Sequence, residues 1–265
     1  MFEGVLIKMK TEFTSPINYF LLFKQDFIHM NQLIDRRIKL KFAGYECLNC
    51  RMDKPIYRQG FCKSCFFDTP AAGDWIMRPE LSTAHLDQKD RDLEYEKQIQ
   101  LQPHVVYLAL SGDVKVGVTR KSQIPARWID QGAHKAIEVV EVPNRYLAGI
   151  TEVALKAHMT DKTNWRKMLT NTIVDMDLVA EKDRLDDFLP DEVKPYYLEN
   201  NRKIWQLEYP VERYPIKVKT LNPDKTPEYE GVLKGIKGQY LMFEDDTVFN
   251  VRGSEGYVVH ITVEE

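Results

Sequence analysis

Four cysteines stand in two matched pairs, "CLNC" (Cys47, Cys50) and "CKSC" (Cys62, Cys65), with eleven residues between the pairs. They are all the cysteines of the chain. Each pair can wrap one ion with two thiolates, and two such knuckles complete a closed tetrahedral site of the kind zinc prefers. Gly60 stands just before the second pair, where a tight knuckle accepts glycine. Two redox C-x2-C pairs in one loop-rich stretch would be unusual, and free buried thiols would need no such spacing. The expectation is therefore a structural zinc ribbon with no open coordination position, in which metal binding supplies folding free energy to a segment with little core. His85 is a spare nitrogen donor downstream, although a lone histidine reads more simply as a surface residue.

The rest of the chain reads as α+β. Residues 1–45 look β-rich ("GVLIKM", "NYFLLF", "RRIKLKFAGY"), 46–80 hold the zinc ribbon, and 81–102 form a charged connection with some helix. Residues 103–171 form a βαβα unit, and 172–209 an acidic, partly helical connection. From 210 to 265, five short strands at near-regular spacing suggest a small barrel-like domain. The first and last β segments can share one sheet, a point the sequence leaves open.

Within the central unit, "VVYLALSGDVKVGVTRKSQIPARW" (105–128) has a pattern with one consistent register. A three-residue loop, Ser111–Gly112–Asp113, pairs Leu110 with Val114, Leu108 with Val116 and Val106 with Val118, so that six aliphatic side chains share one face. A slip of one residue would mix the faces. Tyr107 then lies opposite Gly117, with Lys115 diagonal to it and Thr119 beyond, so the second face presents a phenol, an ammonium and a hydroxyl. "SQIPARWIDQGA" predicts a short helix carrying Arg127, with Pro125 near its start and Gly132 closing it. A second helix, about Asn144 to Met159, carries Glu152 and is followed by "NWRK".

These residues resemble the GIY-YIG nuclease superfamily, which has a strand ending in tyrosine, a second strand with a Y-I-G-like triplet, an arginine on the next helix and a metal-binding glutamate on a later one. Val105-Val106-Tyr107 matches the first motif, Lys115-Val116-Gly117 the second, Arg127 the arginine and Glu152 the glutamate. Lys115 replaces the second-motif tyrosine, and Asn164 is the candidate for the superfamily's final asparagine. The chain as a whole resembles the Domain of Unknown Function 2797 family of bacterial proteins in its "KVGVTR", "RWIDQGA", "NWR" and cysteine segments. The nuclease resemblance implies a phosphodiester hydrolase. Glu152 would hold Mg²⁺ or Mn²⁺, Arg127 would grip the phosphate, Tyr107 would orient the water or accept its proton, and Lys115 would add charge or act as base. Arg120, Lys121, Asn164 and Arg166 would contact the nucleic acid.

Each of these residues also has a plainer reading. Glu152 and Lys156 form an i,i+4 surface pair, Tyr107 is a strand aromatic, Arg127 caps or snorkels, and Trp165 packs in a core. Charge is uneven along the chain. Residues 101–171 hold ten Lys/Arg against six Asp/Glu, whereas 172–199 hold three against nine, in a chain of net charge −3. A local basic footprint of this kind suits DNA or RNA as partner. The alternatives are a catalytically inactive, zinc-containing nucleic-acid-binding protein, in which Lys217, Lys219, Lys234, Lys237, Tyr240 and Phe243 serve as contacts, and a protein–protein scaffold. No apolar run approaches the ~20 residues that span a bilayer. The opening "MFEGVLIKMKTEF" also lacks signal-peptide order, so a cytoplasmic protein without membrane contact is expected.

Overall fold

Aliphatic alternation on two consecutive segments leaves the chain a single way to form its central hairpin, and the rest is built around it. The computed structural model describes residues 1–159 and 164–264. Along the chain come β1 (Phe2–Val5), β2 (Lys10–Glu12), β3 (Asn18–Leu22), β4 (Phe27–His29) and β5 (Arg37–Tyr45). The cysteine segment adds β6 (Ile56–Arg58), β7 (Phe61–Cys62) and α1 (Lys63–Asp68), and a run of 3-10 turns then leads to α2 (Leu93–Gln100). The central unit holds β8 (His104–Leu110), β9 (Val114–Arg120), α3 (Ala126–Asp130), β10 (Lys135–Val142), α4 (Arg145–Lys156) and α5 (Trp165–Leu169). After these come α6 (Leu178–Leu185), β11 (Trp205–Gln206), β12 (Lys219–Thr220), β13 (Glu228–Lys237), β14 (Tyr240–Phe243), β15 (Thr247–Asn250) and β16 (Tyr257–Glu264).

The hairpin register is the expected one. Leu110 faces Val114, Leu108 faces Val116, Val106 faces Val118, and Tyr107 faces Gly117. The central sheet runs β11-β10-β8-β9 and is antiparallel throughout. Val106, Leu108 and Val116 pack with Ala148 and Leu155 of α4 and with Leu178 and Leu185 of α6. The acidic 172–209 stretch therefore contributes apolar residues to the core beneath this sheet.

The opposite face of the sheet is not open. Val105, Tyr107 and Ala109 join a second core with Trp128, Leu233, Ile236 and Leu241, and every residue of β8 is buried. A strand covered on both faces reads as a continuous apolar run. The expectation of an exposed phenol is corrected accordingly.

The N- and C-terminal β segments do share one sheet, in the order β1-β16-β5-β13-β14-β15-β12. The order ends at β1 and β12, so the small barrel expected for 210–265 is an open sheet. Besides pairing with one another, the C-terminal strands join β5 through β13 and β16, and β16 also pairs with β1, so the sheet extends into the N-terminal segment instead of closing on itself. β13 connects the two halves: Glu228–Val232 pair with β5, Leu233–Lys237 pair with β14, and the register shifts between Leu233 and Gly235.

A strap of turns between α1 and α2 lies along α4. Arg145 donates from Nε to the Trp75 carbonyl (3.1 Å) and from Nη2 to that of Ile76 (2.8 Å). Buried Glu96 ties off the far end by accepting the N–H groups of Asp90, Arg91 and Asp92 at 2.9, 2.7 and 2.9 Å. Gly149 is where the strap comes closest, since a Cβ there would lie 2.2 Å from Glu80 N and 2.3 Å from Pro79 C. Both are backbone atoms and cannot turn aside. Gly149→Ala is thus expected to displace the strap and cost about 1–3 kcal/mol in urea unfolding. An unchanged unfolding midpoint would show that α4 and the strap are not in contact there.

Candidate functional site

The four cysteines converge. Their Sγ atoms all lie within 4.8 Å of one another, with Cys47, Cys62 and Cys65 buried. A tetrahedral site with Zn–S bonds near 2.3 Å would hold its sulfurs about 3.8 Å apart, so the set fits a metal ion such as zinc after a small contraction. Local backbone geometry brings the pairs together. Arg51 and Gly60 take positive φ (58° and 76°), Arg51 N donates to Cys47 O (2.8 Å), and Leu48 N donates to Gly60 O (2.8 Å). Cys62 N–H points at Cys47 Sγ at 3.3 Å, as suits a thiolate acceptor. His85 stacks on Tyr146 of α4 (4.5 Å) and does not join this group.

At the hairpin, Tyr107 is fully buried and its hydroxyl donates to Gln131 Oε1 (2.9 Å), with Trp128 edge-on at 5.7 Å. Gly117 makes room for it, because a Cβ there would lie 2.6 Å from the phenol oxygen. Burial pushes the Tyr107 pKa up to about 12. The Arg127 guanidinium beside the hydroxyl opposes that shift and the charge of Glu152 adds to it. A lowered phenol pKa, one of the two roles expected for Tyr107, is thus the reverse of what its surroundings impose.

Lys115 is half-buried and belongs to no ion pair among the described residues. Burial first, and then the positive charge of Arg127, pull its pKa down to about 8. The sign of this shift matters for stability. The folded chain gives up this proton more readily than the unfolded one, so Lys115 weakens the fold below pH 8, and the penalty fades as pH rises from about 8 toward the ordinary lysine range. A cation held without a counter-charge at a cost to stability is characteristic of ligand sites.

Glu152 is nearly buried and its carboxyl pKa is raised, chiefly by burial. Lys156 and Arg145 oppose the shift and Glu80 adds to it. The i,i+4 pair with Lys156 is real (3.2 Å), but Glu152's side chain is only 11% exposed, so this is not a plain surface pair. Arg127 acts through its charge on Tyr107, Lys115 and Arg145, and Glu152 acts on Tyr107 and Arg145, although α4, which carries Glu152, packs on the face of the sheet opposite the one that holds Tyr107.

The remaining candidates lie around this cluster or away from it. Arg120 is half-buried, pairs across the hairpin with His104, and forms no ion pair among the described residues. Lys121 is exposed and bonds Glu141 (2.8 Å). Asn164 caps its own helix, its Oδ1 accepting from Arg166 N (3.1 Å) and Lys167 N (3.4 Å). Arg166 lies 4.4 Å over Trp165, which stacks on Tyr240 against the large sheet. Of the C-terminal contact candidates, Lys237 and Phe243 are buried, Lys237 donating to Met168 O (2.9 Å) and sitting 2.5 Å from His134 Nε2. Neither can form a nucleic-acid surface.

Sequence reading missed four contributors. Gln131 stands four residues after Arg127, which puts both on one helix face, and both meet the Tyr107 hydroxyl. Arg145, Gly149 and Glu152 follow the i, i+4, i+7 rule, so a helical wheel could have picked out the first two. His104 left no such signal. It is fully buried with Nε2 unpartnered, and burial and its cationic neighbours hold its pKa down at about 4.

The profile of the family described as "Protein of unknown function (DUF2797)" matches residues 35–259. No curated protein and no solved structure matches the chain. Among the described residues, no helix is long and apolar enough to cross a membrane.

Proposed function

The chain belongs to the DUF2797 family, whose description names no activity, and from the site we propose that it is a GIY-YIG-type, metal-dependent endonuclease with a structural zinc. The carrying observation is Lys115 and Arg127, two cations free of carboxylate partners among the described residues, the second of them beside the Tyr107 phenol, on which the charge of the nearly buried Glu152 also acts. Two cations without a counter-charge are incomplete without an anion, and a phosphodiester supplies one. Arg127 would hold two phosphate oxygens through its fork. Glu152 offers one carboxylate to a hard, mostly hydrated divalent ion, Mg²⁺ or Mn²⁺, which when bound stabilises charge on the phosphate and on the leaving oxygen.

Proton transfer falls to Lys115 and not to Tyr107. A phenol near pKa 12 keeps its proton at neutral pH, whereas an amine near 8 is partly neutral there and can accept one from the attacking water. Tyr107 instead holds Arg127 and Gln131 in place. Cleavage of a nucleic-acid substrate with Mg²⁺ or Mn²⁺ is the test. Its rate is expected to rise close to tenfold per pH unit below about 8 and to level off above it, and Lys115→Arg removes that plateau from the accessible range. A profile flat from pH 6 to 9 takes Lys115 out of the proton transfer. One observation favours a second reading: the complete burial of Tyr107 suits a unit that binds nucleic acid without cutting it. Salt-sensitive binding with no cleavage under any divalent ion would select that reading.

A further inference from the structure

The zinc knuckle carries a second surface that the cleavage cluster does not use. Tyr57, Phe66 and Phe67 form a closed ring triad, with centroids 5.3 Å apart for Tyr57–Phe66, 5.9 Å for Tyr57–Phe67 and 5.4 Å for Phe66–Phe67. Tyr57 is 44% and Phe67 55% exposed. The plain reading is that these rings shield the thiolates, but that role belongs to Phe61, which packs directly on the cysteine cluster while the triad stays outside it. An exposed aromatic patch of this kind in a soluble domain marks contact with something else.

The charge around the patch identifies the partner. Residues 51–68 hold four Lys/Arg against two Asp/Glu, in a chain of net charge −3. Lys54, Arg58 and Lys63 are exposed and enter no ion pair among the described residues. Arg58 lies 5.4 Å over the Tyr57 ring. Exposed rings bordered by unpaired cations suit a strand whose bases are unstacked and whose phosphates are close by. A duplex hides its base faces and cannot use the rings.

We infer that the Tyr57–Phe66–Phe67 face of the knuckle docks single-stranded nucleic acid, stacking bases on the rings and seating phosphates on Lys54, Arg58 and Lys63. This rests on the reading that the chain acts on nucleic acid, and it gives that reading a substrate class: strands with an unpaired stretch.

The test is fluorescence anisotropy of a labelled oligothymidylate with the zinc-loaded full chain in EDTA-free buffer without Mg²⁺. The double variant Tyr57→Ala/Phe67→Ala is expected to raise Kd at least ~5-fold. The pair Lys54→Ala/Lys63→Ala is expected to flatten the slope of log Kd against log salt by roughly 0.7 per lysine. If the ring variant loses zinc, the lysine pair decides, since both lysines are exposed. Wild-type affinity in both variants with zinc intact overturns the inference and leaves the triad to a protein partner, and equal affinity for duplex of the same length also overturns it. Glu152→Gln should leave this binding unchanged, so failure of the cleavage reading and failure of this one remain separable.

Discussion

Cys47→Ser is expected to lose the bound metal and release the whole strap from the knuckle to α2. Cys47 is fully buried, and its sulfur both faces the other three and receives the Cys62 N–H. A structural four-thiolate zinc contributes an apparent ~10–16 kcal/mol in small zinc peptides, about as much as the entire stability of an ordinary domain. The knuckle has almost no other core, since its buried cluster is the cysteines themselves with Phe61 against them. The two large cores do not depend on it, so the loss should be local. Hydrogen exchange should rise across residues 46–101, while β8, β10 and β13 keep their protection. Metal analysis should find about one ion per wild-type chain and near none in the variant. Cleavage should fall with it, because the strap carries the carbonyls that hold Arg145 and the backbone that meets Gly149. A variant that keeps a full equivalent of zinc and a protected strap would show that the cysteines are not the metal site.

Glu152→Gln should lower divalent-dependent cleavage at least a thousandfold, about 4 kcal/mol of barrier at 1.36 kcal/mol per decade. The substitution preserves volume and one acceptor oxygen for Lys156 while it removes the charge. Because burial already raises this carboxyl's pKa, the fold does not rely on its ionisation, and the melting temperature should hold or rise slightly. Affinity for nucleic acid should hold as well, since a negative charge near the phosphate is removed. The contrast between lost turnover and preserved binding and folding is the diagnostic result. Undiminished cleavage would dismiss the enzyme reading of this cluster, whatever else binds there.

Much of the site could be read from the chain because short-range rules govern it. Period-two alternation allows one register for Val106, Leu108 and Leu110 against Val118, Val116 and Val114, and that register places Tyr107 across from Gly117. The Asn144 cap, accepting from Leu147 N at 2.9 Å, starts the helix that carries Glu152. The spacing of the cysteines was enough to bring the four sulfurs together.

What covers each surface was decided by the tertiary structure. Tyr107 is buried because Leu233, Ile236 and Leu241, more than a hundred residues away, close over its face of the sheet. The C-terminal strands pair with β5 and so never close as a barrel. Register and helix phase follow from neighbours in sequence, whereas the covering of a face depends on which distant segment buries the most apolar area there. Burial raises the Tyr107 pKa and lowers that of Lys115, which favours the lysine over the phenol as the group that gives up a proton near neutral pH. The sequence by itself determined which groups meet, and the packing of remote elements, through desolvation, determined what each of them can do.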